Sequence, residues 1–558
     1  MKPSTQPKFF ESRRRRFCRP SLAATAVIAS AALFPAQSKG GDAVDPRIEG
    51  VSFSAETGFQ FRLHGEPGEY PVEMSSDMNE WTPWKTVRVY HQNIDVPVPE
   101  SAGMDRLFIR ALSGERFETH HLLLSTLSLE ARSGAGIFHK GLSWMEAARI
   151  DAAGQSLELF GETQFWGSVF TPPGLQFNIG QNREVNALPV TVSSIGMTVE
   201  VPGEDRGNEI FPAWQFNFLP VGTSGLTGGV PDLMAGTALS HGQFSDGTLF
   251  SAQHAMGFAA RKRRDASVGE LTGDWGMVRL ELLAMDGSLR HRVFTLPTRV
   301  TTAHGGSLVS DGALVAAGFL QSLGGLAPAR EFFDTVEESF AFPLQVTPEG
   351  EVTLPIHPAG EEPPAEGVEL VLAGFMSPDA NFLVMAGSIP REDEPGGWFE
   401  TDPLAKHLML GVRREREPVL AGREYRLLGR HSFALGGGFE IGSWDDGTTI
   451  RFATATAGEV DLADTFNSVP FANAGGSFVE TDSDETNNIP FLYGVGEDGL
   501  IEFDLSAVMD EEDEVLMTGY AQEGGRVLIF SFAGSKEIDG PAHEGEVALL
   551  IALCTNCD

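Results

Sequence analysis

The sequence has few cysteines and few basic residues. Only three of its 558 residues are cysteine. Lys and Arg number 40 against 77 Asp and Glu, so the formal net charge is −37 at pH 7. A polyanion of this strength repels nucleic acid phosphates and anionic lipid headgroups. We therefore expect no nucleic acid partner.

The sequence also lacks the short motifs that mark many catalytic sites. It has no Gly-x-Ser-x-Gly elbow, no His-Glu-x-x-His pair, no Walker loop and no Gly-x-Gly-x-x-Gly opening a predicted helix. The carboxylate pairs of glycosidases come from remote strands and leave no local motif. A carbohydrate-directed hydrolase therefore remains open as an alternative.

Residues 1–38 have the pattern of a secretory signal. A basic region with seven Lys and Arg residues precedes an apolar, alanine-rich stretch at 21–36. This stretch is too short for a comfortable membrane span. The run Arg14-Arg15-Arg16-Phe17 resembles a twin-arginine signal, and the general secretory route is the alternative. We expect an exported protein of the periplasm, cell surface or extracellular space, with no transmembrane span once the leader is removed.

Two cysteines remain beyond this leader, Cys554 and Cys557, at the end of the chain. A Cys-x-x-Cys pair at a helix start supports redox chemistry, but this pair follows an apolar, strand-like run. Two thiolates are also only half of a tetrahedral zinc site. We predict a small terminal disulfide, as suits an exported protein.

The remaining composition points to β structure. The 64 Gly and 39 Phe residues lie in long runs without helical periodicity. Asp-Gly, which suits the positive φ angles of two-residue hairpin turns, recurs between apolar stretches, as at Asp246-Gly247 and Asp498-Gly499. The sequence therefore predicts an all-β protein, with brief helical character only at residues 141–150 and 326–340.

The first predicted domain, residues 46–115, has the pattern of a small β-sandwich. The motif "YPVEMSSDMNEW" (70–81), closed by "RLFIR" (106–110), resembles a fibronectin-like module of large exported bacterial proteins. This resemblance implies a spacer or adhesion role. Trp81 and Trp84 could stack on a sugar ring, although burial between two sheets is the commoner use of such residues.

Two later stretches repeat one pattern. Residues 342–356 align with 491–505, which places Glu349-Gly350 opposite Asp498-Gly499 and is followed by the same apolar alternation. The passages from His254 and from His407 both run through a basic-acidic cluster to Leu-x-Gly and mark seams between units. We predict β-barrel or β-sandwich repeats at 270–415 and 419–554, after a β-rich domain at 119–268 that is a diverged third copy.

The length of each repeat suits a closed up-and-down barrel, which leaves no exposed sheet edge. Gly273-x-Trp275, at the start of the first repeat, resembles the Gly-x-Trp of lipocalins and implies such a barrel. The second repeat departs from this pattern, because Tyr425 stands near the equivalent place. A generic β-barrel or sandwich is the alternative.

Acidic residues cluster at 481–488. Asp482, Asp484 and Thr486 alternate there and Asn487 follows, and hard oxygen ligands at this spacing on one loop suit calcium. The loop lacks the turn glycine and distal glutamate of an EF-hand. Solvated acidic turns are the alternative in so acidic a chain. No other cofactor is predicted.

These patterns favour a non-catalytic, exported β-repeat protein that acts at or outside the cell surface by adhesion, scaffolding or ligand binding. A surface glycan or a protein is the expected partner. The alternatives are a carbohydrate-directed hydrolase with its site in 119–268, and a barrel that binds an apolar ligand. A filled lumen would favour the first function, convergent carboxylates in a cleft the second, and an empty apolar cavity the third.

The leader gives the first test. Signal peptidases read small residues, which occur here at Ala36 and Ser38. The intact mass of protein purified from its native host should therefore correspond to a chain that begins near Lys39. A full-length chain recovered from the cytoplasm would contradict the prediction of export.

Overall fold

The structure, a computed structural model, describes residues 46–557 except for 55–57, 91–92, 99–106, 133–135, 172–174, 194–195, 222–225, 228–229, 286, 303–304, 323–327, 337–338, 357–369, 388–397, 400–403, 445–446, 471–478, 507–512 and 540–541. The predicted signal lies outside these residues. The chain divides after Phe117 into two compact units, unit 1 and unit 2. Within the described residues, no helix has the length and apolar character to cross a membrane.

Unit 1 contains two small antiparallel sheets. One sheet has the order β1-β2-β5, and the other has the order β4-β3-β6 with β7 also paired to β3. The strands are β1 (Arg47–Ser54), β2 (Gly58–His64), β3 (Gly68–Ser75), β4 (Thr82–Val89), β5 (Asn93–Val98), β6 (Phe108–Ala111) and β7 (Glu115–Arg116).

The two sheets of unit 1 share one apolar core. Phe61 and Val96 come from the first sheet, and Tyr70 and Val87 come from the second. Alternate residues of each strand enter this core because successive side chains point to opposite faces. The fibronectin-like assignment stays a prediction.

The first part of unit 2 is a ring of eight strands, barrel 1, with the order β8-β9-β10-β11-β12-β15-β18-β19. Pairing of β19 with β8 closes the ring. The strands of this region are β8 (His120–Arg132), β9 (Gly136–Asp151), β10 (Ser156–Thr171), β11 (Leu175–Ser193), β12 (Gly196–Val201), β13 (Glu204–Asp205), β14 (Glu209–Phe211), β15 (Trp214–Pro220), β16 (Leu226–Thr227), β17 (Val230–Pro231), β18 (Leu233–Phe244) and β19 (Leu249–Arg261).

Barrel 2 follows a short 3-10 helix at Val268–Leu271. Its first strand, β20, pairs with its last strand, β31, and so closes the sheet. The strands are β20 (Gly273–Met285), β21 (Ser288–Thr301), β22 (Ser307–Ser310), β23 (Leu314–Ser322), β24 (Ala329–Val336), β25 (Ala341–Pro343), β26 (Gln345–Val346), β27 (Glu351–Ile356), β28 (Leu370–Met376), β29 (Phe382–Gly387), β30 (Trp398–Phe399, which pairs with β11) and β31 (Leu404–Arg413).

Barrel 3 has the order β32-β33-β35-β36-β37-β38-β39-β40, and pairing of β40 with β32 closes it. The strands are β32 (Glu424–Ala434), β33 (Gly438–Trp444), β34 (Thr449–Arg451), β35 (Ala457–Pro470), β36 (Glu480–Val495), β37 (Ile501–Asp504), β38 (Asp513–Ala521), β39 (Val527–Asp539) and β40 (Ala542–Cys554).

Barrels 2 and 3 contain a similar glycine turn. Gly350 lies between β26 and β27 with φ 90°, and Gly499 lies between β36 and β37 with φ 82°. In each turn this glycine donates its N–H to the carbonyl three residues earlier, at 2.9 Å. Positive φ favours glycine here. The same Glu/Asp-Gly signal therefore produces the same hairpin in both barrels.

The all-β prediction is confirmed, but the two predicted helical segments are wrong. Residues 141–150 lie within β9, and β24 occupies 329–336 of the second segment. Strand β9 pairs along its length with both β8 and β10. Its side chains alternate between more and less buried positions, which is a period of two, and this pairing outweighs the local helix propensity.

Each barrel has an apolar lumen, and a further core lies between the barrels. Trp275 and Met277 on β20 belong to the same core as Val352 of the remote strand β27, so they point into barrel 2. Their neighbours Val278 and Leu280 belong to a core that includes residues of all three barrels. Strands such as β20 that lie at the contacts between barrels, the seam strands, are therefore largely apolar on both faces, because the outside of each barrel is covered by another.

Buried histidines lie at the contacts between the barrels. His254 of barrel 1 contacts Ser443 Oγ at 2.9 Å and Asn467 Oδ1 at 2.8 Å, both of barrel 3. His291 of barrel 2 contacts Ser432 Oγ of barrel 3 at 3.0 Å. Burial lowers the pKa of His254 to about 3 and that of His291 to about 4. Both imidazoles are therefore neutral at pH 7.

Acid should weaken these contacts. The pKa of His254 is about 3 in the folded protein and 6.5 as its ordinary value, so below pH 6.5 the unfolded chain takes up a proton that the native state excludes. The stabilisation is present above pH 6.5 and is lost as the pH falls towards 3. Urea unfolding at pH 7 and pH 4.5 should show a smaller loss in His254→Gln than in the wild type.

A His64→Gln variant in unit 1 serves as the control for this measurement, because His64 is partly exposed. It should keep the wild-type pH dependence. Identical pH dependence in the wild type and His254→Gln would show that burial of His254 does not couple folding to pH.

Candidate functional site

Inside barrel 2, next to the apolar side chains of its lumen, lies a layer of charged side chains. Glu281 on β20 has Arg292 and His407 as its cross-strand partners on the two sides. Arg292 Nη1 lies 3.2 Å from Glu281 Oε1, and His407 Nδ1 lies 3.3 Å from Oε2. Arg279 Nη2 is 3.4 Å from the same carboxylate. The closed sheet thus brings four groups together from three strands.

The charged groups of this layer pair mainly with one another. Burial disfavours the Glu281 carboxylate, but the nearby guanidinium groups, Arg279 above all, outweigh burial and lower its pKa. Burial lowers the pKa of His407 to about 4, so at pH 7 its imidazole is neutral. Glu281 is therefore an anion held by arginines, and its ion pairs fix the register of β20 against β21.

Barrel 3 has a polar layer of opposite charge. His431 is fully buried, with Nε2 2.8 Å from Asp464 Oδ1 and Nδ1 3.1 Å from Glu546 Oε1. Burial opposes its protonation, but the two carboxylates outweigh burial and raise the pKa to about 10. A histidine that stays protonated between two carboxylates cannot act as a general base at neutral pH.

One carboxyl group of this layer is suited to proton transfer. The pKa of Glu440, on β33, is raised to about 7, chiefly by burial; His431 lowers it, and the nearby Glu546 and Asp464 add to the rise. A carboxylic acid that is half protonated at pH 7 can serve as a general acid. Glu440 is therefore the described residue of this layer whose chemistry most resembles a catalytic group.

Among the residues that the structure describes, side chains fill the lumen of barrel 2. Its cavity has a volume of about 20 Å³ and is lined by Met277, Arg279, Phe342 and Leu354 among others. A cavity of this size holds about one water molecule. A lipid-sized apolar ligand would therefore need the barrel to open.

The residues predicted to bind calcium lie on a strand, so the predicted loop at 481–488 is wrong. Asp482, Asp484 and Thr486 are exposed and alternate along β36, opposite Phe466, Asp464 and Leu462 of β35. Asn487 lies at an irregularity of this pairing. The described residues hold no group of three or more His, Cys, Asp or Glu arranged to bind a metal. Calcium binding stays a prediction.

The terminal cysteines, a buried histidine and an arginine after β19 also have structural partners. A disulfide joins Cys554 and Cys557. His121 contacts the Glu349 carbonyl at 2.9 Å and stacks on Phe375, both in barrel 2. In the basic run after β19, Arg263 forms an ion pair with Glu270 at 2.6 Å.

The tryptophans of unit 1 are partly covered. Arg110 lies over the ring of Trp81, 4.3 Å from its centroid. Trp84 packs against the core of unit 1, and Lys85 Nζ lies 4.2 Å from its ring centroid. These cations occupy ring faces that a sugar would need.

Sequence reasoning missed both polar layers. Their members are separated by up to 128 residues, as between Arg279 and His407, and no local spacing joins them. The available signal was a charged residue at an inward position of an otherwise apolar strand, as at Glu281 and His431. Such a position predicts a buried partner but does not identify it.

Comparisons with known proteins assign no family. No protein-family model and no curated protein matches the sequence. Among solved structures, transferrin binding protein B of Haemophilus parasuis Hp5 aligns at 10% identity and TM-score 0.20, over 94% of this chain and 99% of that chain. An AttH protein of Nitrosomonas europaea aligns at 9% identity and TM-score 0.17, over 53% and 92%. At these TM-scores the alignments establish neither a shared fold nor a shared function.

The polar layer of barrel 2 gives a stability prediction. Glu281→Gln leaves Arg279 and Arg292 without their shared buried anion, which should cost about 3–5 kcal/mol of unfolding free energy. Urea denaturation of the mature protein measures this loss. Glu502→Gln, at an exposed position of β37, should change the free energy little. Equal urea midpoints for the two variants would mean that the ion pairs of Glu281 make no net contribution to the free energy of unfolding.

Proposed function

We propose that the chain is an exported, non-catalytic binding protein that acts at the cell surface or outside it. The observation that carries this proposal is the filled interior of barrel 2, where apolar side chains occupy the lumen and arginines hold the buried Glu281. A packed interior of this kind makes the barrel a rigid scaffold. The outer surfaces and the barrel ends then remain available to bind a partner.

The proposed partner is a surface glycan or a protein. The strongly negative chain disfavours nucleic acid and anionic lipid as partners. A binding protein of this kind needs a stable scaffold more than a reactive group, and three barrels with a shared apolar core supply one. The cavity of barrel 2 is too small for an apolar ligand of lipid size, which disfavours that alternative.

A second candidate is a hydrolase, and Glu440 is the observation that favours it. Its pKa of about 7 suits a general acid, and Asp464 and Glu546 supply carboxylates nearby. Both of those carboxylates are engaged by His431, however. Neither is then free to act as a nucleophile or to activate water.

An activity screen separates these two functions. Mature protein should show no turnover above background on polysaccharide, ester and peptide substrates between pH 5 and 8, because no described group pairs a free base with the Glu440 acid. Product release is measured by reducing-end, chromogenic and fluorogenic assays. Turnover that Glu440→Gln abolishes, and that Glu502→Gln retains, would replace the binding function with the hydrolytic one.

A further inference from the structure

Two cations are buried where the three barrels meet. Lys406 on β31 of barrel 2 and Arg430 on β32 of barrel 3 are each 2% exposed. Lys406 is the cross-strand partner of Leu282, which belongs to a core shared by the three barrels. Arg430 reaches Ser125 of barrel 1. Both side chains therefore point out of their own barrels and into the junction.

The partners of these cations are two serine hydroxyls of barrel 1. Lys406 Nζ contacts Ser143 Oγ, and Arg430 Nη1 donates to Ser125 Oγ at 3.1 Å. Ser143 Oγ in turn donates to Ser125 Oγ at 3.1 Å. Among the residues that the structure describes, no Asp or Glu forms an ion pair with either cation, and Arg430 Nε has no hydrogen-bond acceptor.

Among the described residues, the junction therefore has many hydrogen-bond donors and few acceptors. A lysine ammonium carries three N–H donors and an arginine guanidinium five. Arg430 lies where β32 pairs on both sides, with β33 and β40, so the backbone carbonyls beside it are engaged in the ladders. A buried charge without a counter-charge is strongly unfavourable. Burial, with Arg430 nearby, lowers the pKa of Lys406 well below its usual value, whereas a pKa of about 9 keeps Arg430 charged at pH 7.

We propose that a small inorganic anion of the halide class binds at this junction, held by Arg430, Lys406 and the hydroxyls of Ser125 and Ser143. The anion would neutralise Arg430 and accept the unused N–H groups. Because its ligands come from barrels 1, 2 and 3, its binding would stabilise the arrangement of all three. The close spacing of the two hydroxyls favours a compact ion over sulfate or phosphate.

The test compares anions at constant ionic strength. Mature protein is melted at pH 7.5 in mixtures of sodium chloride and sodium gluconate, because gluconate is too large for the junction. The melting temperature should rise by roughly 3 °C between 1 and 200 mM chloride, since a ligand that binds only the native state stabilises it. Bromide should act as chloride does. Melting that is equal in chloride and gluconate overturns the proposal.

Variants locate the effect. Arg430→Met should abolish the dependence on chloride and melt in gluconate no lower than the wild type, because an apolar side chain of similar size needs no counter-ion. Arg426→Met, at an exposed position of the same strand, should keep the dependence. If Arg430→Met fails to fold, a crystal of the wild type soaked in bromide tests the anion site instead. An anomalous peak between Arg430 and Lys406 supports the site, and its absence overturns it.

Discussion

Closure of each sheet on itself is the constraint on which the rest of unit 2 depends. An open edge presents unpaired N–H and C=O groups, and the pairings β8–β19, β20–β31 and β32–β40 remove such edges. Closure also gives every strand an inner and an outer face. The inner faces form three lumens and the outer faces of the seam strands form the core between barrels, so one pattern of alternation serves both.

Barrels 2 and 3 each have a polar layer on the inner face of the sheet. The central buried ion of the layer has opposite charge in the two barrels. In barrel 2 an anion, Glu281, is held by arginines, and in barrel 3 a cation, His431, is held by Asp464 and Glu546. Both solutions satisfy the same physical need, because a buried charge requires a counter-charge. Because the charged groups of both layers are already paired, the layers resemble active sites but leave few groups available for catalysis. Glu440 is the exception.

The outer faces follow a different rule. At the contacts between barrels, charge is avoided by neutral histidines such as His254 and His291. Lys406 and Arg430 break this rule, because the described hydrogen-bond partners of both side chains are hydroxyl groups. We therefore expect the stability of the contacts between barrels to depend on solution conditions, through protons at the histidines and through the proposed anion at the junction.

The sequence by itself determined the fold class and the turns. Alternating apolar residues and the Glu349-Gly350 and Asp498-Gly499 turns predict antiparallel strands, because period-two burial and positive φ are local properties. Only the tertiary structure decided that residues 141–150 form a strand and that Asp482 and Asp484 lie on one, since pairing with neighbouring strands overrides local propensity. The polar layers and the buried cations also depended on tertiary structure. Partners such as Glu281 and His407, or Ser125 and Arg430, are remote in sequence, and closure of the sheets and packing of the barrels bring them together.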